Sequence, residues 1–154
     1  MVFLIFQLGQ DRYVIETSRV AEVLPCVKLK AIPQAAAGVA GVFNYHGAPV
    51  PVVDLSALAL QRPARDSLTT RLLLVHYPTS DNRQRLLGLL AEQAIETVRL
   101  DKSAFQEPGV SSSGARYLGL VATDARGILQ WVTLDKLLPA EVREHLWRQA
   151  DETA

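Results

Sequence analysis

Apolar residues run without a break from Val2 to Phe6, and Leu8 closes the run before Gly9-Gln10. Such a run, bounded by a turn signal, predicts a strand, and Arg12-Tyr13-Val14-Ile15-Glu16 beyond the turn predicts its hairpin partner. Val20-Ala21-Glu22-Val23-Leu24, stopped by Pro25, suits either a strand or a short turn. Residues 28–32 read as a strand ending at Pro33, and 34–38 as a small-residue connector. A second hairpin is expected from Gly41-Val42-Phe43-Asn44-Tyr45 and Ala48-Pro49-Val50-Pro51-Val52-Val53 around His46-Gly47. Pro49 and Pro51 share a parity, so the returning strand should be unpaired on one side there, because proline cannot donate to a ladder. Asp54 is placed to cap the short helical turn that follows.

Residues 59–70, with Pro63 and mixed charge, have the composition of a linker. Beyond them Arg71-Leu72-Leu73-Leu74-Val75-His76-Tyr77 and Arg85-Leu86-Leu87-Gly88-Leu89-Leu90 flank a polar loop and predict a third strand pair. Residues 95–100 form another short element. Residues 101–114, rich in serine, glycine and proline, read as a mobile loop. The last strand pair, 117–123 with 127–132, turns at Asp124-Ala125-Arg126. Pro139 then opens a closing helix over 139–150, with Val142 and Leu146 on its apolar stripe and Glu144 and Arg148 at pairing distance; the residues after it are expected to fray.

The pattern repeats. An offset of 75 residues lays Val14-Ile15 on Leu89-Leu90, Val20 on Ile95 and Val23 on Val98. An offset of 79 lays Val52-Val53-Asp54-Leu55 on Trp131-Val132-Thr133-Leu134, so Thr133 takes the capping place of Asp54. Gly41 meets Gly119 at an offset of 78. One domain over 1–154 is expected, with approximate halves 1–62 and 70–138 and strand exchange between them allowed. A half of that size suffices for a five-strand barrel but is marginal as an independent core, so two barrels packed together are expected.

Composition narrows the function. With 49% hydrophobic and 21% charged residues the chain reads as globular, and its 16 basic and 16 acidic residues cancel. That balance argues against steering toward nucleic acid or an anionic membrane. The single cysteine, Cys26, excludes an intramolecular disulfide and any CxxC motif; it is expected to be a buried, inert thiol. No run of 18 apolar residues occurs, so a cytoplasmic protein without membrane insertion is expected. His46, His76 and His145 share no metal-ligand spacing, and no nucleophile elbow or glycine-rich phosphate loop is present. No catalytic residue, metal or cofactor is assigned. The small residues around Gly41 suggest a surface that a partner helix can approach.

Phe6-Gln7-Leu8-Gly9, Val20-Ala21-Glu22-Val23-Leu24 and above all Val39-Ala40-Gly41-Val42-Phe43-Asn44-Tyr45-His46-Gly47 with Pro49-Val50-Pro51-Val52-Val53-Asp54-Leu55 resemble the CheW-like family. Leu86-Leu87-Gly88-Leu89-Leu90 and Tyr117-Leu118-Gly119-Leu120 extend the likeness to about residue 140. The resemblance implies an all-β fold of two SH3-like five-stranded barrels related by a pseudo-twofold axis. It also implies a non-enzymatic adaptor joining the cytoplasmic hairpin tip of a methyl-accepting receptor to the regulatory domain of a CheA-type histidine kinase. A receptor groove between the barrels is implied, at Val39, Gly41, Asn44, His46 and Gly47; a bulky residue at Gly41 should then block the receptor and spare the fold. Kinase contacts are tied to no motif and are left unassigned. The chain departs from the family's usual residues at His46, where arginine is common, at Ser56, again for arginine, at Leu58-Ala59 for phenylalanine-glycine, and at Ala91-Glu92 for valine-aspartate. Alternative readings are a stand-alone CheW-like protein-binding module and an RNA-binding small barrel.

Overall fold

The computed structural model describes residues 1–79, 83–109 and 116–154. Among them the order is β1 (Val2–Leu8), β2 (Asp11–Glu16), β3 (Val20–Pro25), β4 (Val39–Tyr45), β5 (Ala48–Asp54), α1 (Leu55–Leu60), β6 (Arg71–Pro78), β7 (Gln84–Arg99), β8 (Leu118–Asp124), β9 (Gly127–Val132) and α2 (Ala140–Thr153). Short 3₁₀ turns lie at Thr17–Arg19, Lys102–Ala104 and Leu134–Lys136.

The strands make two five-stranded sheets that share β7. Its last part lies antiparallel to β1, which pairs with β2; β2 runs parallel to β9, and β9 pairs with β8. Its first part lies antiparallel to β6, which pairs with β3, and parallel to β5, which pairs with β4. Each pairing in one sheet has its counterpart in the other when β1 is exchanged with β6, β4 with β8, β5 with β9, and β2 and β3 with the two parts of β7. Smaller contacts obey the same exchange. The bridge Lys30↔Val42 matches Gln106↔Val121, and each closes its sheet into a small barrel. The Asp54 N–H donates to the Gly38 carbonyl at 2.8 Å, and the Thr133 N–H to the Tyr117 carbonyl at 2.7 Å.

Strands are exchanged between the repeats, so the barrels do not coincide with 1–62 and 70–138. β1 and β2 complete the barrel of β8 and β9, while β3, β4 and β5 complete that of β6.

β1 explains its own unbroken apolar run. Leu4, Phe6 and Leu8 enter the large core cluster, while Phe3 and Ile5 on the opposite face enter a smaller one with Val14, Phe105, Ala122 and Leu129. β6 is likewise buried from Leu72 to Val75. A strand buried on both faces needs apolar residues at every position, not at alternate ones. Leu146, Trp147 and Ala150 seat α2 on the large cluster. The Trp147 indole N–H donates to the Leu86 carbonyl at 2.9 Å, and the Tyr77 hydroxyl accepts from the Leu138 N–H at 3.0 Å.

Several expectations change. Residues 95–100 are not a separate element: β7 runs on to Arg99. Residues 28–32 contribute only the Lys30 bridge, and residues 20–24 are strand. α2 continues to Thr153 instead of fraying after 150, and Arg148 contacts His145 at 2.9 Å rather than Glu144. Pro49 and Pro51 fall where β5 pairs with β4 alone, since pairing with β7 starts at Val52. Cys26 is exposed. Residues 110–114 of the loop read as mobile, and 80–82 of the polar loop, lie outside the described residues.

Arg12 on β2 grips Asp124 at the end of β8 with contacts of 3.0 and 2.5 Å, tying the barrel's parallel seam to its last hairpin. The Arg12 hydrogen bonds hold the Asp124 carboxyl at about 2, below its ordinary 3.8. A carboxyl with a lowered folded pKa adds stability that is complete above the unfolded value and fades as pH falls through the folded one. Asp124→Asn should therefore cost about 1 kcal/mol at neutral pH, the pair being partly solvated. The difference from the parent should shrink between pH 4 and 2 in urea denaturation curves.

Candidate functional site

A two-residue loop joining antiparallel strands favours a turn with positive φ at both central positions. His46 at 51° and Gly47 at 88° supply it between the paired residues Tyr45 and Ala48. Histidine is among the side chains that tolerate this conformation better than most. The Asn44 side-chain oxygen accepts from the Gly47 N–H at 2.7 Å and locks the turn. The hairpin so fixed aims its aromatic side chains at a groove.

That groove, 540 Å³ in volume, lies between β3 and β4, the two edge strands of their barrel. Leu24, Val27, Phe43 and Tyr45 form apolar walls; Glu22, Lys28, Asn44 and His46 supply the polar groups. Phe43 and Tyr45 stand two residues apart on β4 with ring centroids at 6.2 Å, and the His46 ring meets Tyr45 edge-on at 4.3 Å. The Glu22 carboxylate lies across the groove from the Tyr45 hydroxyl, and its influence raises the phenol's pKa. The adjacent Val23 is 45% exposed, so the apolar surface continues along β3. An aromatic wall with one anion, one cation and an imidazole at its lip can hold an amphipathic helix, and it offers no arrangement for covalent chemistry.

The predicted site residues divide. Asn44 and His46 line the groove, with Gly47 beside them at the turn, where added side-chain atoms would meet open space. Val39 packs against the large core cluster. Gly41 is buried in the bulge of β4, at φ 151°, and a Cβ there would come within 2.5 Å of the Lys30 carbonyl oxygen. The glycine is thus required by the bridge that closes the barrel, and a bulky residue at Gly41 cannot spare the fold. All the groove's lining residues belong to one barrel and the segment after β3, not to both barrels.

The two caps also divide. Asp54 accepts from the Ala57 N–H at 3.1 Å with one oxygen and from the Ala64 N–H at 2.8 Å with the other. Thr133 occupies the matching position, but its side chain caps nothing. The turn after it is a single 3₁₀ turn, and the Thr133 carbonyl already accepts from the Lys136 N–H at 3.1 Å. Glu22, Tyr45 and Val27 went unassigned in the sequence; the parity of Phe43 and Tyr45 on one strand face was the available signal for Tyr45.

A family model for the CheW-like domain matches residues 2–142. The chain belongs to the CheW-like domain family. It is 27% identical over 142 residues to the chemotaxis protein CheW of Rhizobium meliloti (strain 1021), covering 90% of this chain and 88% of that protein. It is 27% identical over 126 residues to the probable chemotaxis protein CheW of Rhizobium etli, covering 80% and 78%. The crystal structure of the scaffolding protein TtCheW from Thermoanaerobacter tengcongensis superposes with a TM-score of 0.80 at 20% identity, over 94% of this chain and 92% of that one. These likenesses accord with the paired SH3-like barrels and with a coupling adaptor of the chemotaxis type. Among the described residues no group of His, Cys, Asp and Glu could hold a metal ion, and no helix is long and apolar enough to cross a membrane.

Gly41→Ala should lower stability by at least about 2 kcal/mol, because the new methyl group meets backbone and the φ is unfavourable for an L-residue. Chemical denaturation checks this. Gly47→Ala, strained only by its φ, should cost about half as much.

Proposed function

We propose that this chain couples a methyl-accepting receptor to a CheA-type histidine kinase, and that the groove between β3 and β4 receives the receptor's cytoplasmic helical hairpin. The supporting observation is the aromatic wall of Phe43, Tyr45 and His46 facing Leu24 and Val27, left uncovered by the rest of the fold. A helix laid there buries its apolar stripe against the wall while Glu22 and Lys28 fix its register. The barrels do no chemistry. By holding receptor and kinase together, the adaptor raises their local concentration, and a small receptor change then biases the kinase between its states. The protein works in the cytoplasm, beside the membrane that carries the receptors. Neither nucleic acid nor a cofactor has a part in this role.

His46 is where this chain departs from the arginine common in its family. Arginine carries a permanent charge and a five-donor fork, whereas the imidazole is shorter and has only two ring nitrogens. The groove is therefore suited to a receptor tip with fewer carboxylates opposite this position.

Co-sedimentation with a receptor cytoplasmic fragment and a kinase regulatory domain tests both arms. Tyr45→Ala should weaken receptor binding about tenfold or more, as truncating an aromatic anchor does, and leave kinase binding and the circular dichroism spectrum unchanged. His46→Arg should shift preference toward receptors with acidic tips. Unchanged receptor binding in a folded Tyr45→Ala protein would overturn the groove assignment. Salt-sensitive retention of RNA with no receptor or kinase recovered would overturn the adaptor reading.

A further inference from the structure

A second concavity, 740 Å³ in volume, lies on the side of the molecule where α1, the Leu134–Lys136 turn and the start of α2 come together. Its apolar lining includes Leu58 from α1 and Leu137 from just after that turn, residues that correspond at the 79-residue offset of the repeat, with Tyr117 beside them. The cavity thus forms where equivalent segments of the two repeats meet. Three cations, Arg116, Lys136 and Arg143, stand around it.

None of the three has an ion pair among the described residues. The Arg143 Nε is buried and makes no hydrogen bond at all. A buried donor left unpaired is destabilising unless something supplies an acceptor. The one acid at the cavity, Asp135, is engaged by Arg19 at 2.6 Å and does not neutralise the group. α2 begins here too, with no side-chain cap at Pro139, which adds to the positive potential. In a chain with no net charge, three unpaired cations over one apolar concavity are a local concentration of charge.

We propose that this cavity binds a small organic oxyanion: a phosphate or carboxylate group carried on an apolar or aromatic body. The oxyanion is held by Arg143 and Lys136, and the body lies against Leu58, Leu137 and Tyr117. The volume falls in the range of small-molecule sites, and the division into an apolar wall and a few cations matches their usual chemistry. The bound molecule touches α1 in one repeat and α2 beyond the other, so its occupancy braces the two against each other. The site is separate from the β3–β4 groove and shares no lining residue with it.

Phenyl phosphate is the probe. Titrated into the full chain and followed by amide NMR, it should give saturable shifts at Tyr117, Lys136, Ala140 and Arg143. Inorganic phosphate should bind more weakly, and benzyl alcohol should leave those amides unmoved. Lys136→Gln, on an exposed side chain, and Arg143→Gln should each weaken phenyl phosphate about fivefold or more, through loss of a charge-assisted hydrogen bond. Arg99→Gln, an equal change of charge far along β7, should leave the affinity unaltered. The proposal is overturned if no saturable shift appears at these residues, if inorganic phosphate binds as tightly, or if folded Lys136→Gln binds as well as the parent.

Discussion

The fold depends on one strand. β7 runs from Gln84 to Arg99, and its first part completes one barrel while its last part completes the other. The change of sheet occurs at Glu92 and Gln93. Gln93 takes a φ of 53°, rarely adopted away from glycine, and the ladder with β1 slips between Ile5 and Gln7. Because β1 and β2 are also lent to the barrel of β8 and β9, neither barrel can be completed by its own half of the sequence. A repeat of this length gives only a marginal core by itself, and the exchange turns two such cores into one cooperative unit. The large core cluster shows this directly, joining Leu4, Phe6 and Ile15 of one barrel to Leu73, Val75 and Tyr77 of the other.

Much of this was legible as pattern. The hairpins of β1 with β2, β4 with β5 and β8 with β9 follow from apolar runs interrupted by turn residues, and the repeat offsets foretell the matched pairings. What pattern could not reveal is where a strand ends when no turn residue marks the end. Glu92-Gln93 looks like ordinary polar punctuation, yet the strand passes through it by a local bulge. Periodicity likewise cannot say which side of Gly41 faces a partner and which faces the Lys30 carbonyl. A glycine required for clearance from its own backbone and one required for clearance from a partner have the same letter. The same holds at Thr133, where position predicts a cap but a 3₁₀ turn leaves the hydroxyl with no cap to make.

The groove shows how function is placed by defects in the ladder rather than by its regular parts. β3 and β4 are the edge strands of their barrel, and among the described residues the backbone closure on this side is the bridge of Val42 with Lys30, in the segment after β3. Beyond that bridge the edges part, and the gap is walled by side chains instead of backbone hydrogen bonds. Edge strands left open invite unwanted pairing. Here Pro25, which has no N–H to donate, ends β3, and the tight His46-Gly47 turn ends β4. The gap instead presents aromatic side chains, which suit a helix. The same closure that requires glycine at position 41 therefore creates the surface beside it.

Two departures from the family's usual residues turn out to be in contact. Ser56 stands where arginine is common and Glu92 where aspartate is common, and the Ser56 hydroxyl donates to Glu92 at 2.6 Å. Serine cannot supply the charge that arginine would, and a carboxylate only 7% exposed needs one. Arg62, from the segment after α1, provides it at 3.0 Å, with Arg65 at 3.8 Å. Burial pushes the Glu92 carboxyl up, but the Ser56 and Arg62 hydrogen bonds outweigh it and hold the group below its ordinary value. The buried glutamate thus takes a hydroxyl from α1 and its cation from the segment after α1. The location matters, because Glu92 sits where β7 changes sheets. The contact pins residues 62–65 over the crossover, and the Ala64 N–H to Asp54 bond fastens the same loop from the other side. The apparent linker between the repeats is in this way bound to the strand that unites them.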